Sequence, residues 1–316
     1  MVMLLKVENL SVSYRLRGAQ IEAVRDISFS VDYNEILGLV GESGSGKSTI
    51  GYAIMNLLPP NSKIDGAIYF EGKNLLEMRR SELRQIYGSE ISLIFQDPTS
   101  ALNPTMRVGE QIYEAIKAHK KLPPSKDIVL SLLNMVKIKD PEKTYSSFPH
   151  ELSGGMRQRI VICIALANNP KLVIADEPTT NLDVVVQAQI LDLLKRVSRE
   201  KNISTILITH DLAVAAQLCD KILIIYSGKL MEYGKTEDIF KEPKHPYTEI
   251  LLKSVIRADK KTDIFVHQIP NYSAQLKKPP GCVFYSRCPY KKDVCANHSP
   301  PLIKFGSSYV ACWRYV

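Results

Sequence analysis

The residues Gly41-Glu42-Ser43-Gly44-Ser45-Gly46-Lys47-Ser48 follow the pattern G-x-x-x-x-G-K-S, a spacing that suits a polyphosphate. Glycines let the backbone curl so that successive N–H groups point inward. Lys47 then supplies a point charge, and Ser48 a hydroxyl for magnesium. Thr49 to Leu58 are compatible with a helix, whose N-terminus adds positive potential. Together these residues predict a nucleoside triphosphate site running from Gly41 to Thr49. Downstream, the apolar run Leu172-Val-Ile-Ala175 ends in two adjacent carboxylates, Asp176 and Glu177. With divergent side chains, Asp176 suits a magnesium shell and Glu177 an attacking water, as base or orienter. A second anion site is encoded in Leu152-Ser153-Gly154-Gly155-Met156-Arg157-Gln158, ahead of the helical run Ile160 to Leu166. Ser153 can cap that helix, and the two glycines bare backbone N–H groups at its start. One nucleotide cannot easily use two such sites on one small domain.

These groups need a scaffold, and residues 1–240 alternate short β-branched runs with longer helical patterns, the rhythm of an α/β domain with a largely parallel sheet. The clearest strands are Ile36–Val40, Ile91–Phe95, Leu172–Ala175, Thr205–Ile208 and Ile222–Ile225. Four of them are too apolar to have one wet face, as expected of strands covered on both sides. Ser28–Asp32 and Ala67–Glu71 alternate apolar with polar residues instead, which predicts a separate antiparallel sheet. Between Gln96 and Leu166 helical patterns are separated by prolines (Pro98, Pro104, Pro123-Pro124, Pro141, Pro149), a helical insertion.

Composition marks a change near Lys241. Residues 241–316 hold 13 Lys plus Arg against 5 Asp plus Glu, leaving 28 of each sign in residues 1–240, so the body is neutral and the basic surplus belongs to the tail. The tail also carries four of the six cysteines and the single Trp. No apolar run approaches the roughly 20 residues that span a bilayer, and the N-terminal apolar stretch, cut by Lys6 and Glu8, lacks a leader pattern; the expectation is a cytosolic protein.

With Gly41–Ser48, the Leu-Ser-Gly-Gly stretch and its following Gln158, the sequence resembles the ATP-binding cassette family. Further marks come in that family's order: Gln96 after a strand, Asn181-Leu-Asp183 after the carboxylates, and His210 after the last buried strand. The resemblance implies a P-loop nucleotide-binding domain with a RecA-like core, an antiparallel β subdomain and a helical subdomain at about 97–166. Residues 1–240 would form it, and residues 241–316 a C-terminal module. Two such cassettes close head to tail, each ATP lying between one P-loop and the partner's signature helix. Tyr14 would then stack on adenine. Ser48, Gln96 and Asp176 would share Mg2+, Glu177 would polarise water, and His210 would bond the γ-phosphate, with Lys47 on the phosphates. Ser153, Gly154, Gly155 and Gln158 would serve the partner's ATP, and Asp183 would bridge the dimer. Asn181 departs from the small residue many members carry there.

Phe95–Gln111, Pro149–Gln158, His245-Pro-Tyr247 and the Pro-Pro-Gly-Cys282 tail are closely similar to the family's dipeptide and oligopeptide importer branch. That implies an ATPase subunit peripheral to the cytoplasmic membrane face, paired with a second related ATPase as a heterodimer. Two membrane permeases and an extracytoplasmic solute-binding protein complete the assembly. Some of the branch move oligosaccharides or nickel. A repair-type cassette acting on nucleic acid is the rival, but Gly41 and Ser153 are about a hundred residues apart with no sustained heptads between them, so no nucleic acid partner is expected.

Cys282, Cys288, Cys295 and Cys312 remain. Disulfides do not suit the cytosol, and the close pairs typical of structural zinc are missing. Four thiolates on Pro-rich loops can hold an iron–sulfur cluster, and the resemblance implies a [4Fe-4S] one; zinc and unmetallated packing stay open. Cys163 and Cys219 sit in apolar helical contexts that predict core positions.

Overall fold

The computed structural model describes residues 3–16, 18–120, 124–258 and 280–316. Met1, Val2, Pro123 and Pro279 lie outside the described residues. Chain order is β1 (Met3–Leu16), β2 (Ala19–Asp32), β3 (Ile36–Val40), α1 (Lys47–Ile54), β4 (Ser62–Phe70) and β5 (Lys73–Asn74). Then come α2 (Arg80–Ile86), β6 (Ile91–Ile94), α3 (Pro98–Ala101), α4 (Val108–Lys117), α5 (Lys126–Met135), α6 (Pro141–Ser146) and α7 (Gly154–Leu166). The chain continues through β7 (Leu172–Asp176), α8 (Val184–Glu200), β8 (Ser204–Thr209), α9 (Leu212–Leu218) and β9 (Lys221–Tyr226). It ends with β10 (Lys229–Lys235), α10 (Thr236–Lys241), α11 (Pro246–Ala258), α12 (Asp293–Asn297), β11 (Ile303–Phe305) and β12 (Ser308–Val310).

Two compact units draw on several stretches each. Met1–Leu4, Val31–Glu35 and Asn74–Leu207 form the first; Leu5–Ser30, Ile36–Lys73 and Ile208–Val316 form the second. In the first, β6 and β7 pair in parallel, from Ile91 against Leu172 to Ile94 against Ala175. β7 is buried along its whole length, which is why its sequence is a continuous apolar run rather than an alternation. Residues 97–166 hold α3 to α7 and, among the described residues, no strand. Helical spacing puts Val108, Ile112 and Ile116 on one face of α4, all fully buried, where α4 packs on α5, α6 and α7.

In the second unit β1 pairs antiparallel with β4, from Leu5 against Phe70 to Tyr14 against Ser62, in a sheet ordered β2-β1-β4-β5. A further ladder runs β11-β12-β10-β9-β3. β3 and β9 are parallel, with Leu37 against Lys221 and Val40 against Ile224. β9 turns back into β10 through Ser227 and Gly228, both left-handed (φ 48 and 77), as the two-residue hairpin of that twist requires. β10 then pairs with β12, Glu232 against Val310, so strands of the basic tail extend this ladder.

Candidate functional site

β3 delivers the chain to Gly41, and α1 begins at Lys47. Between them the backbone passes close to two strands. A Cβ on Gly41 would lie 2.2 Å from the Ile225 carbonyl oxygen, and one on Gly46 would lie 2.3 Å from that of Ala23. Gly46 also caps α1 with φ 101, a conformation L side chains rarely adopt. Sterics therefore account for both glycines. Lys47 is buried, and its Nζ donates to the Gly41 and Glu42 carbonyls at 2.9 and 2.8 Å, which curls the loop around the ammonium. From β1, the Tyr14 hydroxyl donates to Thr49 Oγ1 at 3.3 Å, so the expected adenine residue stands at the first turn of α1. His210 is exposed beyond β8, beside Asp211, which caps α9 by accepting from the Ala213 and Val214 N–H groups at 2.8 and 3.4 Å.

The first unit gathers the carboxylates. Because β6 and β7 are parallel neighbours, Gln96 and Glu177 leave them side by side, and Gln96 Nε2 donates to Glu177 Oε2 at 3.1 Å. Thr180 Oγ1 donates to the same oxygen at 2.9 Å. Asp176 is buried while Glu177 is partly exposed. Glu177 carries φ 44, a left-handed backbone of the kind that concentrates at functional sites. Asn181 is left-handed too, at φ 64, which Asn tolerates; this gives the departure at that position a physical reason. Ser153 caps α7, accepting from the Met156 N–H at 3.4 Å, and Asp183 caps α8, accepting from the Val186 N–H at 3.0 Å. The two helix starts abut, since a Cβ on Gly155 would meet Val186 Cγ1 at 2.7 Å. Ser153 is exposed and both glycines are partly exposed, whereas Gln158 is buried and its Nε2 has no hydrogen-bond partner among the described residues.

In the tail, Cys282, Cys288, Cys295 and Cys312 are free and line one cavity with His245, Phe284 and Trp313. Burial pushes the Cys282 thiol up to about 11 and raises those of Cys288 and Cys312. Among the described residues no three His, Cys, Asp or Glu side chains form a group that could hold a metal ion. The four cysteines that the sequence singled out thus share one cavity. Cys163 and Cys219 are core residues, and burial pushes the Cys163 thiol to about 12. Three contacts had no signal in residue spacing: Thr180 on Glu177, and Tyr247 and Arg287 on Glu42.

Comparison with known proteins shows the family. A model of the ABC transporter family matches residues 24–180, and one of the oligopeptide/dipeptide transporter C-terminal region matches residues 231–295. The oligopeptide transport ATP-binding protein OppD of Escherichia coli is 44% identical over 316 residues, covering 99% of this chain and 94% of that protein. The chain belongs to the ATP-binding cassette transporter family. This cassette is also 46% identical to the dipeptide transport ATP-binding protein DppD of Bacillus subtilis, over 98% of its own length and 94% of that protein. Among solved structures, a dimeric ATP-binding cassette in a post-hydrolysis state with ADP and Pi superposes with a TM-score of 0.66 at 28% identity. That match covers 73% of the cassette and 98% of the solved chain. The cassette is an ATPase subunit of a transporter. No helix among its described residues is long and apolar enough to cross a membrane.

Proposed function

We propose that the cassette binds ATP with magnesium and hydrolyses it to drive import of dipeptides or oligopeptides through a separate membrane permease. The observation that carries this is the Gly41–Ser48 loop, curled around a buried Lys47 at the start of a helix. Peptide cargo rests on the likeness of residues 231–295 to the peptide-transporter C-terminal region and on the oligopeptide and dipeptide relatives.

Backbone N–H groups of Gly41 to Thr49 and the Lys47 ammonium take the phosphates, and Tyr14 stacks on the base. Ser48, Gln96 and Asp176 would hold the magnesium. Glu177 orients and polarises the attacking water, with one carboxylate oxygen fixed by Gln96 and Thr180. His210 bonds the γ-phosphate. Ser153, Gly154, Gly155 and Gln158 form the signature that serves the ATP of a second cassette, and Asp183 bridges the pair. Little covalent chemistry is asked of the protein, so rate comes from positioning and from donors aimed at the spreading charge. The partner is a related ATPase in a heterodimer, docked with two permease subunits at the cytoplasmic membrane face and fed by a solute-binding protein.

The all-thiol donor set around one cavity fits an iron–sulfur cluster. Cys282, Cys288, Cys295 and Cys312 would hold it, and when bound it would cross-link a loop-rich segment. The nucleotide assignment is tested by Glu177→Gln: the full chain keeps ATP binding, while hydrolysis falls by about two to three orders of magnitude, the worth of a lost preorganised group. Turnover near that of the wild type refutes the role of Glu177.

A further inference from the structure

The cysteine-bearing tail reaches the phosphate loop. Arg287, one residue before Cys288, donates from its two terminal nitrogens to the Glu42 carboxylate at 2.9 and 2.8 Å. The same guanidinium donates to the Tyr226 hydroxyl at 3.2 Å and lies over the Tyr226 and Phe284 rings, 5.3 and 5.7 Å from their centroids. Burial works against its charge, but the hydrogen bonds to Glu42 and Tyr226 prevail and hold its pKa above the ordinary arginine value. The backbone of Glu42 is held as well, its N–H donating to the Tyr247 hydroxyl at 3.1 Å. Behind these contacts Tyr226, Tyr247, Phe284 and His245 pack ring against ring, with Tyr247 and Phe284 wholly buried. Phe284 and Arg287 both lie on the segment between Cys282 and Cys288.

Glu42 is a poor neighbour for a triphosphate unless its charge is met. The bidentate fork of Arg287 meets it and fixes its direction, while the Glu42 carbonyl accepts from Lys47. We propose that Arg287 is a positioning residue for ATP: by neutralising and immobilising Glu42 it makes nucleotide affinity depend on the cysteine-bearing tail. This rests on the assignment of ATP to the Gly41–Ser48 loop and goes beyond it by giving the tail a task at the nucleotide.

The experiment is equilibrium binding of a fluorescent, non-hydrolysable ATP analogue with Mg2+ to the full chain. Arg287→Met is expected to raise its dissociation constant about tenfold, a charged hydrogen-bonded pair discounted for the partial exposure of Glu42. Trp313, the single tryptophan, donates its indole N–H to the His298 carbonyl at 3.0 Å, so unchanged emission certifies that the tail is intact. In a Glu42→Gln background, with no carboxylate left to neutralise, Arg287→Met is expected to change affinity by less than about twofold. Wild-type affinity in Arg287→Met, or the same tenfold loss in both backgrounds, overturns the proposal. The comparison of backgrounds still decides if Arg287→Met disturbs the tail, because both carry the same disturbance. Lys47→Ala separates the two claims: unimpaired binding there would refute the ATP assignment itself.

Discussion

Gly46→Ala perturbs the nucleotide loop through a single methyl group. At φ 101 an alanine is strained wherever its side chain points, and its Cβ would sit 2.3 Å from the Ala23 carbonyl oxygen. Backbone strain of this kind costs about 1–3 kcal/mol. Relieving the clash to a 3.0 Å limit requires a shift of at least about 0.7 Å between β2 and the start of α1, and misplacement on this scale costs on the order of a hundredfold in rate. Gly44→Ala is the internal control: its φ is 77 but nothing lies within 4 Å of the new Cβ, so it carries conformational strain alone. Urea unfolding of the full chain should rank wild type above Gly44→Ala above Gly46→Ala. ATP hydrolysis should fall about a hundredfold in kcat/KM for Gly46→Ala. If Gly46→Ala matches Gly44→Ala in stability and stays within twofold of wild-type turnover, the close approach of the Ala23 carbonyl does not constrain the loop.

Asp183 caps the 17-residue helix α8, so Asp183→Ala should cost about 1 kcal/mol in urea unfolding, while Asp183→Asn, whose side chain still accepts a hydrogen bond, should cost only a few tenths. Equal losses in both variants would mean that the side-chain charge, and not the cap, stabilises the helix. Burial that pushes the Cys163 thiol to about 12 leaves about one molecule in ten thousand as thiolate at pH 8. In chain stripped of any metal or cluster with a chelator, timed alkylation read by mass spectrometry should therefore modify the partly exposed Cys288 and Cys312 long before Cys163. Early labelling of Cys163 would contradict its place in the core.

What the sequence made legible is what short-range patterns encode. The phosphate loop, the carboxylates ending β7 and the Ser153 cap each need only a few consecutive residues, and each lies where those residues imply. Hydrophobic runs likewise disclosed which strands are covered on both faces. The interleaving of the two units was illegible, because each unit is assembled from three separated stretches. Asn181 carried a usable hint, since Asn is one of the few residues at ease with positive φ, whereas nothing about Glu177 announces φ 44. Cysteine spacing identified four residues that share a cavity, but spacing does not say how closely sulfurs approach, and they do not form a group of metal-ion dimensions.

The Arg287–Glu42 pair joins residues 245 positions apart, beyond any local pattern, and its consequence follows from what else holds the loop. Gly41 faces the Ile225 carbonyl of β9, and Gly46 faces the Ala23 carbonyl of β2, so neighbouring backbone fixes both ends of the curl. Between them, Glu42 is tied by side chains, through Arg287 and Tyr247. The tail also meets the strand that crowds Gly41 by a second route: β9 pairs with β10, and β10 with β12 of the tail. A displaced tail therefore releases the carboxylate of Glu42 and loosens the ladder behind Gly41 together, and both changes act on the carbonyls that hold Lys47. Under the proposal, nucleotide affinity thus depends on residues far outside the Gly41–Thr49 stretch.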